Sequence, residues 1–395
     1  MVNAFEKRGL ADPERLARIG QAMDQAGLEA LVCWRPEELV VCTGAPTHLG
    51  MTLALISRDG QAVAYRPPNE PDELIGAGLA DHRFIPGHGS VAWSDLGRRL
   101  REDVTRFGLA GRPIGLAGEG PRSSPAGNAA EGSPLTTPLV RSLVEDAGGA
   151  ARDARALFDL LMLRKTEREV EALRRAHAVA SRGLRAFHDG LRAGPTEAEL
   201  AATVEAAVAG QTGRGGCILA RAWASVQAGP NGAVAGTFSR SSGRPLHRGE
   251  LALLEVGVVV DGMWCDLART ASVGPASPEQ AELLANVRQA QAVAARAAVP
   301  GASHAAVDAA ARRELAERGV ADAFQHATGH HVGFRYHDPG PMIAAGAKEQ
   351  LEEGMVVAIE PGAYGAQLGG ARFEDNFLVT GSGAAALSDP SLFAA

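Results

Sequence analysis

Residues 250–274 read ELALLEVGVVVDGMWCDLARTASVG. Asp261-Gly262 lies between two runs of strand-forming residues, the signal for a two-residue type I′ hairpin. Such a turn pairs Val260 with Met263 and therefore Gly257 with Asp266. Glu255 is two residues from Gly257, so its side chain shares a sheet face with Asp266. The two carboxylates become diagonal cross-strand neighbours, roughly 7–8 Å apart at the backbone. Like charges this close disfavour each other's ionised form unless a cation lies between them. One of the pair turned to solvent is the plainer alternative. Glu255, however, sits inside LALLEVGVVV, where a solitary charge carries a desolvation cost, and a metal site is favoured.

Two further stretches share this chemistry. FQHATGHHVGFRYHDPGP, residues 324–341, holds His326, His330, His331 and His337 in a chain with only 11 histidines. Imidazole is a common metal ligand and the usual proton shuttle near neutral pH. Gly329 and Gly333 allow close backbone approach. MVVAIEPGAY, 355–364, and ARFEDNFLVT, 371–380, read as partner strands carrying Glu360 and Glu374. Five ligands could thus converge: Glu255, Asp266, His330, Glu360 and Glu374. Carboxylates with one imidazole suit Mn, Fe, Co or Zn, as one or two ions per chain. A pair of ions sharing a water would supply a hydroxide nucleophile at neutral pH.

The rest of the chain bounds the context. Its 395 residues carry 39 Lys plus Arg against 46 Asp plus Glu, a net charge of -7. This length gives two or three domains. The acidic balance leaves no electrostatic footprint for nucleic acid or an anionic membrane. No run of about 18 apolar residues occurs, and the first residues lack the apolar stretch of a secretory signal. Cys33, Cys42, Cys217 and Cys265 fit neither a CxxC metal site nor a disulfide framework, which suggests a reducing cytoplasm. The first third reads as α/β, with a helix over Pro13 to Gly27, a strand in LEALVCW and a hairpin at Asp59-Gly60. Capping boxes at Thr166/Glu169, Thr196/Glu199 and Ser277/Gln280 open helices in the remainder. LRAGPTEAELAATVEAAVAG and AAVPGASHAAVDAAARRELAERG look alike, which suggests a pseudo-repeat facing itself across a shared sheet.

Taken in order, LLEVG with DLART, ATGHHVG, AIEPGAY and ARFED resemble the motifs of the pita-bread metallopeptidases. That family includes methionine aminopeptidase, Xaa-Pro aminopeptidase, prolidase and the non-peptidase creatinase. The resemblance implies a creatinase-like α/β N-terminal domain over 1–155. It implies an α+β pita-bread catalytic domain over 156–395, a pseudo-twofold repeat around a curved antiparallel sheet. By position it places metal ligands at Asp266, His330, Glu360 and Glu374, with Glu360 also handling the proton of the attacking water. His337 and His326 match histidines that contact substrate or the tetrahedral intermediate, and Arg372 an arginine that braces glutamate and substrate. The implied activity is metal-dependent hydrolysis of a small peptide or amide, by a homodimer. Three departures stand out. Glu255 occupies a position that is Asp in the peptidases, and its extra methylene moves the carboxylate by about 1.5 Å, beyond the roughly 0.5 Å tolerance of an organised site. Gly236 stands where the peptidases usually have His. His331 replaces a usual Gly. Gly236, His331 and Tyr336 are grouped as candidate substrate contacts. The departures keep two alternatives in view: a non-peptidase enzyme acting on a small metabolite, such as an amidinohydrolase, ectoine-type hydrolase or lyase, or an inactive binding homologue.

Overall fold

The structure, a computed structural model, describes residues 12–47, 52–68, 81–85, 89–118, 135–235 and 241–389. Gly236 lies outside the described residues. The chain divides into two compact units, 1–162 and 163–395. The division falls near the end of the helix Arg155–Leu163, whose Leu161 carbonyl accepts a hydrogen bond from buried Arg15.

The first unit contains α1 (Pro13–Ala26), β1 (Ala30–Cys33), α2 (Pro36–Thr43), β2 (Leu53–Ser57), β3 (Ala62–Arg66), β4 (Asp81–Phe84), α3 (Gly89–Arg106), β5 (Pro113–Leu116), α4 (Thr137–Asp146), β6 (Ala150–Asp153) and most of α5 (Arg155–Leu163). Its strands form a mixed sheet in the order β4-β3-β2-β1-β5-β6. α1 stops where Gly27 adopts a left-handed conformation, φ 64°, which glycine reaches without steric cost. The Asp59-Gly60 turn joins antiparallel β2 and β3.

The second unit runs α6 (Glu167–Gly190), α7 (Glu197–Ala209), β7 (Ala220–Ala228), β8 (Leu251–Val260), β9 (Met263–Ser272), α8 (Pro278–Ala297), α9 (His304–Glu317), β10 (Gly329–His331), β11 (Val356–Ile359), β12 (Gly362–Gly365), β13 (Gly369–Arg372), β14 (Asp375–Thr380) and β15 (Gly383–Ala386). α6, α7 and α8 each begin with the capping box read from the sequence. Each half therefore repeats helix, helix, antiparallel sheet: β7-β8-β9 in the first and β10-β11-β14-β15 in the second. The β8–β9 turn has φ 49° at Asp261 and 85° at Gly262, as a type I′ turn requires. Its register pairs Gly257 with Asp266 and Glu255 with Ala268.

The second acidic pair departs from a plain hairpin. The partner segments form two separate ladders, β11–β14 and β12–β13, interrupted at Glu360 and Glu374. Freed from one ladder, those two residues bond elsewhere. The Glu360 amide donates to Thr328 O at 2.8 Å, and the Glu374 amide donates to Ala268 O at 3.1 Å. The acidic residues thus stitch the His segment and the first hairpin to the second sheet.

Close backbone packing accompanies this stitching. A Cβ on Gly329 would meet the Ala358 carbonyl at 1.9 Å. Backbone on both sides cannot yield cheaply, so Gly329→Ala is expected to cost about 3 kcal/mol. A thermal melt of the variant beside a surface Gly-to-Ala control checks this; an unchanged Tm would show that β10 and β11 are less tightly apposed.

Candidate metal centre

Three strands and two ladder interruptions deliver the five side chains to one point. β8 presents Glu255, β9 Asp266, β10 His330, and the two ladder interruptions Glu360 and Glu374. All five are buried. His330 Nε2 lies 3.4 Å from Asp266 Oδ2, 3.8 Å from Glu360 Oε1 and 3.9 Å from Glu374 Oε1. Its Nδ1–H donates to the His331 carbonyl at 2.9 Å, which leaves the Nε2 lone pair facing the carboxylates. Potential ligand atoms of Glu255, Asp266 and Glu374 lie within 4.8 Å of one another, as do those of His330, Glu360 and Glu374.

The donor set fits a divalent cation. Asp266 Oδ1 and both Glu374 oxygens are buried without a hydrogen-bond partner. Unsatisfied buried carboxylate oxygens are costly, and an ion would satisfy them together. Burial, with the neighbouring carboxylates, pushes the Asp266 and Glu374 carboxyls well above their ordinary range. Burial lifts Glu360 to about 7, against the lowering pull of His330 and Arg372.

A second layer holds this set. The Asn376 side chain grips the Asp266 backbone in both directions: Asp266 N donates to Oδ1 at 3.0 Å and Nδ2 donates to Asp266 O at 2.8 Å. His177 spans from Leu173 O to Asn376 Oδ1. A fully buried Lys165–Asp338 pair, 2.6 Å apart, fastens the segment that carries His337. Asp338 also accepts from Arg335 N at 2.7 Å. None of these partners stood out in the sequence. Asn376 alone had a local signal, two residues beyond Glu374 on an alternating strand.

The remaining candidates separate. The His337 ring centre lies 4.0 Å from that of His330 with the planes tilted by 46°, and a nitrogen of it lies within 4.8 Å of ligand atoms of His330 and Asp266. Burial, then His330, lowers it to about 3, so it is neutral at physiological pH. His326 has both nitrogens engaged: Nδ1–H donates to Ala327 O, and Nε2 accepts from Tyr364 OH at 2.9 Å. Tyr364 OH accepts from Arg372, which also donates to Glu255 Oε2. Tyr336 OH donates to Glu255 Oε1 at 2.9 Å. His331 turns away from the cluster, as alternation along β10 requires. Its Nε2 pairs with His304 Nε2 at 2.8 Å, and His304 Nδ1–H donates to Glu349 O.

Carboxyls with raised folded-state values bind more protons than in the unfolded chain. Metal-free protein should therefore lose stability as pH rises from about 4.5 towards 7 at this site. Its Tm should fall over that window, and a divalent ion should restore most of the loss at pH 7 and little at pH 5. Calorimetry with and without chelator measures this; a metal-induced shift independent of pH would contradict it. Asn376→Ala should weaken metal binding about 10–100-fold with the fold retained, as read by equilibrium dialysis.

The profile of metallopeptidase family M24 matches residues 171–381. The Xaa-Pro dipeptidase of Pyrococcus furiosus is 33% identical over 231 residues, 58% of this chain and 64% of that protein. A probable dipeptidase, PepE, of Mycobacterium tuberculosis is 36% identical over 230 residues, 58% of this chain and 59% of the relative. The chain thus aligns with about three-fifths of the length of these relatives. Among solved structures, the Pyrococcus furiosus prolidase superposes with a TM-score of 0.72 at 24% identity, over 94% of this chain and 99% of that one. An Xaa-Pro dipeptidase from Bacillus anthracis gives 0.75 at 22% identity, over 95% and 97%. The structural likeness shows a shared pita-bread fold, and the profile spans more than half of the sequence. With a buried four-carboxylate, one-histidine cluster at its centre, the chain belongs to metallopeptidase family M24.

Proposed function

We propose that this protein is a metal-dependent hydrolase of short peptides with the character of an Xaa-Pro dipeptidase. The observation that carries the reading is the convergence of the His330 Nε2 lone pair with the unsatisfied oxygens of Asp266 and Glu374. The dipeptidase names borne by the relatives support the substrate class. Asp266, His330, Glu360 and Glu374 would hold the ion. A divalent ion there supplies a Lewis acid for a carbonyl and lowers the pKa of a water. Mn, Co, Fe and Zn all suit this donor set.

The chain's own groups account for the proton traffic and orientation. Glu360, lifted to about 7 by burial, can take a proton from an attacking water and return it to the leaving amine. Neutral His337 can donate one N–H to the developing oxyanion. His326 acts at one remove: it fixes the Tyr364 hydroxyl, which receives Arg372. His331 contributes its carbonyl to His330, while its ring packs with His304.

We also propose a cytoplasmic homodimer. Four free, buried cysteines accord with a reducing compartment. Among the described residues no helix is long and apolar enough to cross a membrane. Light scattering after size exclusion tests the dimer, and a monomeric mass would reject it. Glu255 in place of Asp favours one second reading, an enzyme acting on a small zwitterionic metabolite by the same machinery.

Chelated protein should not cleave X-Pro dipeptides, and Mn or Co should restore turnover. Glu360→Ala should lower kcat by about 10²–10⁴-fold, the usual range for a positioned acid–base group. His330→Ala should abolish metal retention with the circular dichroism spectrum unchanged. Full activity in chelator would reject the metal mechanism. Metal-loaded protein that cleaves a small metabolite but no dipeptide would select the second reading.

A further inference from the structure

Glu255 differs from Asp266 and Glu374 in how it is satisfied. Tyr336 OH donates to its Oε1, and Arg372 donates to its Oε2. Asp266 Oδ1 and both Glu374 oxygens have no such partner. Glu255 is therefore a member of a continuous hydrogen-bonded chain. That chain runs from the Ala327 carbonyl through His326, Tyr364 and Arg372 to Glu255, and ends at Tyr336. Arg372 donates directly to Glu255, whereas it reaches Asp266, Glu360 and Glu374 through its charge.

Tyr336 is built into this place. Its ring lies against the backbone of Gly257, where a Cβ would come within 2.5 Å of Cε2. Gly257 is the residue that pairs with Asp266 and stands two from Glu255 on the same face. The ring of Trp264 meets Tyr336 edge-on at 6.0 Å, and Trp223 stacks on Trp264 at 5.1 Å. The phenol thus lies within hydrogen-bonding reach of both hairpin carboxylates, Glu255 and Asp266. A second ion bridging Glu255 and Asp266 would have to compete with the Tyr336 proton and the Arg372 charge.

We propose that Tyr336, with Arg372, takes Glu255 out of the ligand set, so that the centre holds one ion on Asp266, His330, Glu360 and Glu374. The inference rests on the metallohydrolase reading above. Tyr336 is then a positioning residue that sets the number of ions, and Glu255 acts as an anchor for Arg372.

Metal stoichiometry tests this independently of turnover. Purified full-length protein, stripped and dialysed against millimolar Mn²⁺, is assayed for metal per chain, and the manganese electron paramagnetic resonance signal is recorded. Wild-type protein should hold one ion per chain with an uncoupled signal. Tyr336→Phe keeps the ring and removes the proton; it should tighten a second site by about tenfold, the scale of a lost outer hydrogen bond. The double variant Glu255→Asp, Tyr336→Val should hold two ions and show an exchange-coupled signal. Two coupled ions in the wild type would overturn the proposal and leave the hydrolase reading standing. One ion in the wild type and no second site in either variant would also overturn it, by removing Tyr336 from any role. No bound ion in the wild type would overturn both the proposal and the reading beneath it.

Discussion

Buried negative charge must be compensated, and this catalytic unit is arranged around that requirement. Glu255, Asp266, Glu360 and Glu374 are each less than one-tenth exposed and converge within a few ångströms. In a low-dielectric interior each uncompensated carboxylate costs several kcal/mol. Repulsion among them adds to that cost, which is why burial and mutual charge raise Asp266 and Glu374 so far. The structure meets the requirement in two ways. Glu255 meets the protein donors Tyr336 and Arg372, whereas Asp266 and Glu374 keep oxygens without a protein partner, the oxygens we propose a cation satisfies.

The backbone makes this convergence possible by interrupting its own ladders. Glu360 and Glu374 sit where β11–β14 gives way to β12–β13. At such breaks the amides need other partners. They find them in Thr328, next to the His segment, and Ala268, on the first hairpin. The same hydrogen bonds that repair the breaks therefore fix the distances among the ligands. Asn376 repeats the device with a side chain, holding the Asp266 backbone from β14.

The histidine segment divides its labour by strand alternation and by its end anchors. His330 faces the carboxylates, and His331 faces His304. Beyond β10 the chain leaves regular structure, so His337 needs another restraint. The Lys165–Asp338 pair provides it from within the interior, where both partners are paired and Asp338 also accepts backbone donors. Losing one partner would leave an isolated buried charge, which makes this a stringent fastening.

The sequence by itself determined the local and the near-neighbour features. The Asp261-Gly262 turn imposed a register, and that register placed Glu255 and Asp266 on one face. Capping boxes marked where α6, α7 and α8 begin, because those bonds form within four residues. The ligand candidates were legible because charged residues inside apolar runs need a reason. Tertiary structure decided whatever depended on distant partners. The break in the second hairpin falls beside Pro361, which has no amide proton to donate, but the partners that repair it, Thr328 and Ala268, lie outside 355–380. The grip of Asn376 on Asp266 spans 110 residues, and the Lys165–Asp338 pair spans 173. Which carboxylate meets a protein donor was likewise undecided in the sequence, since Glu255 is as acidic on paper as Glu374. Only folding brings Tyr336 and Arg372 to one and leaves the other unpartnered, because hydrogen bonds act over about 3 Å and the chain fixes that proximity only when packed.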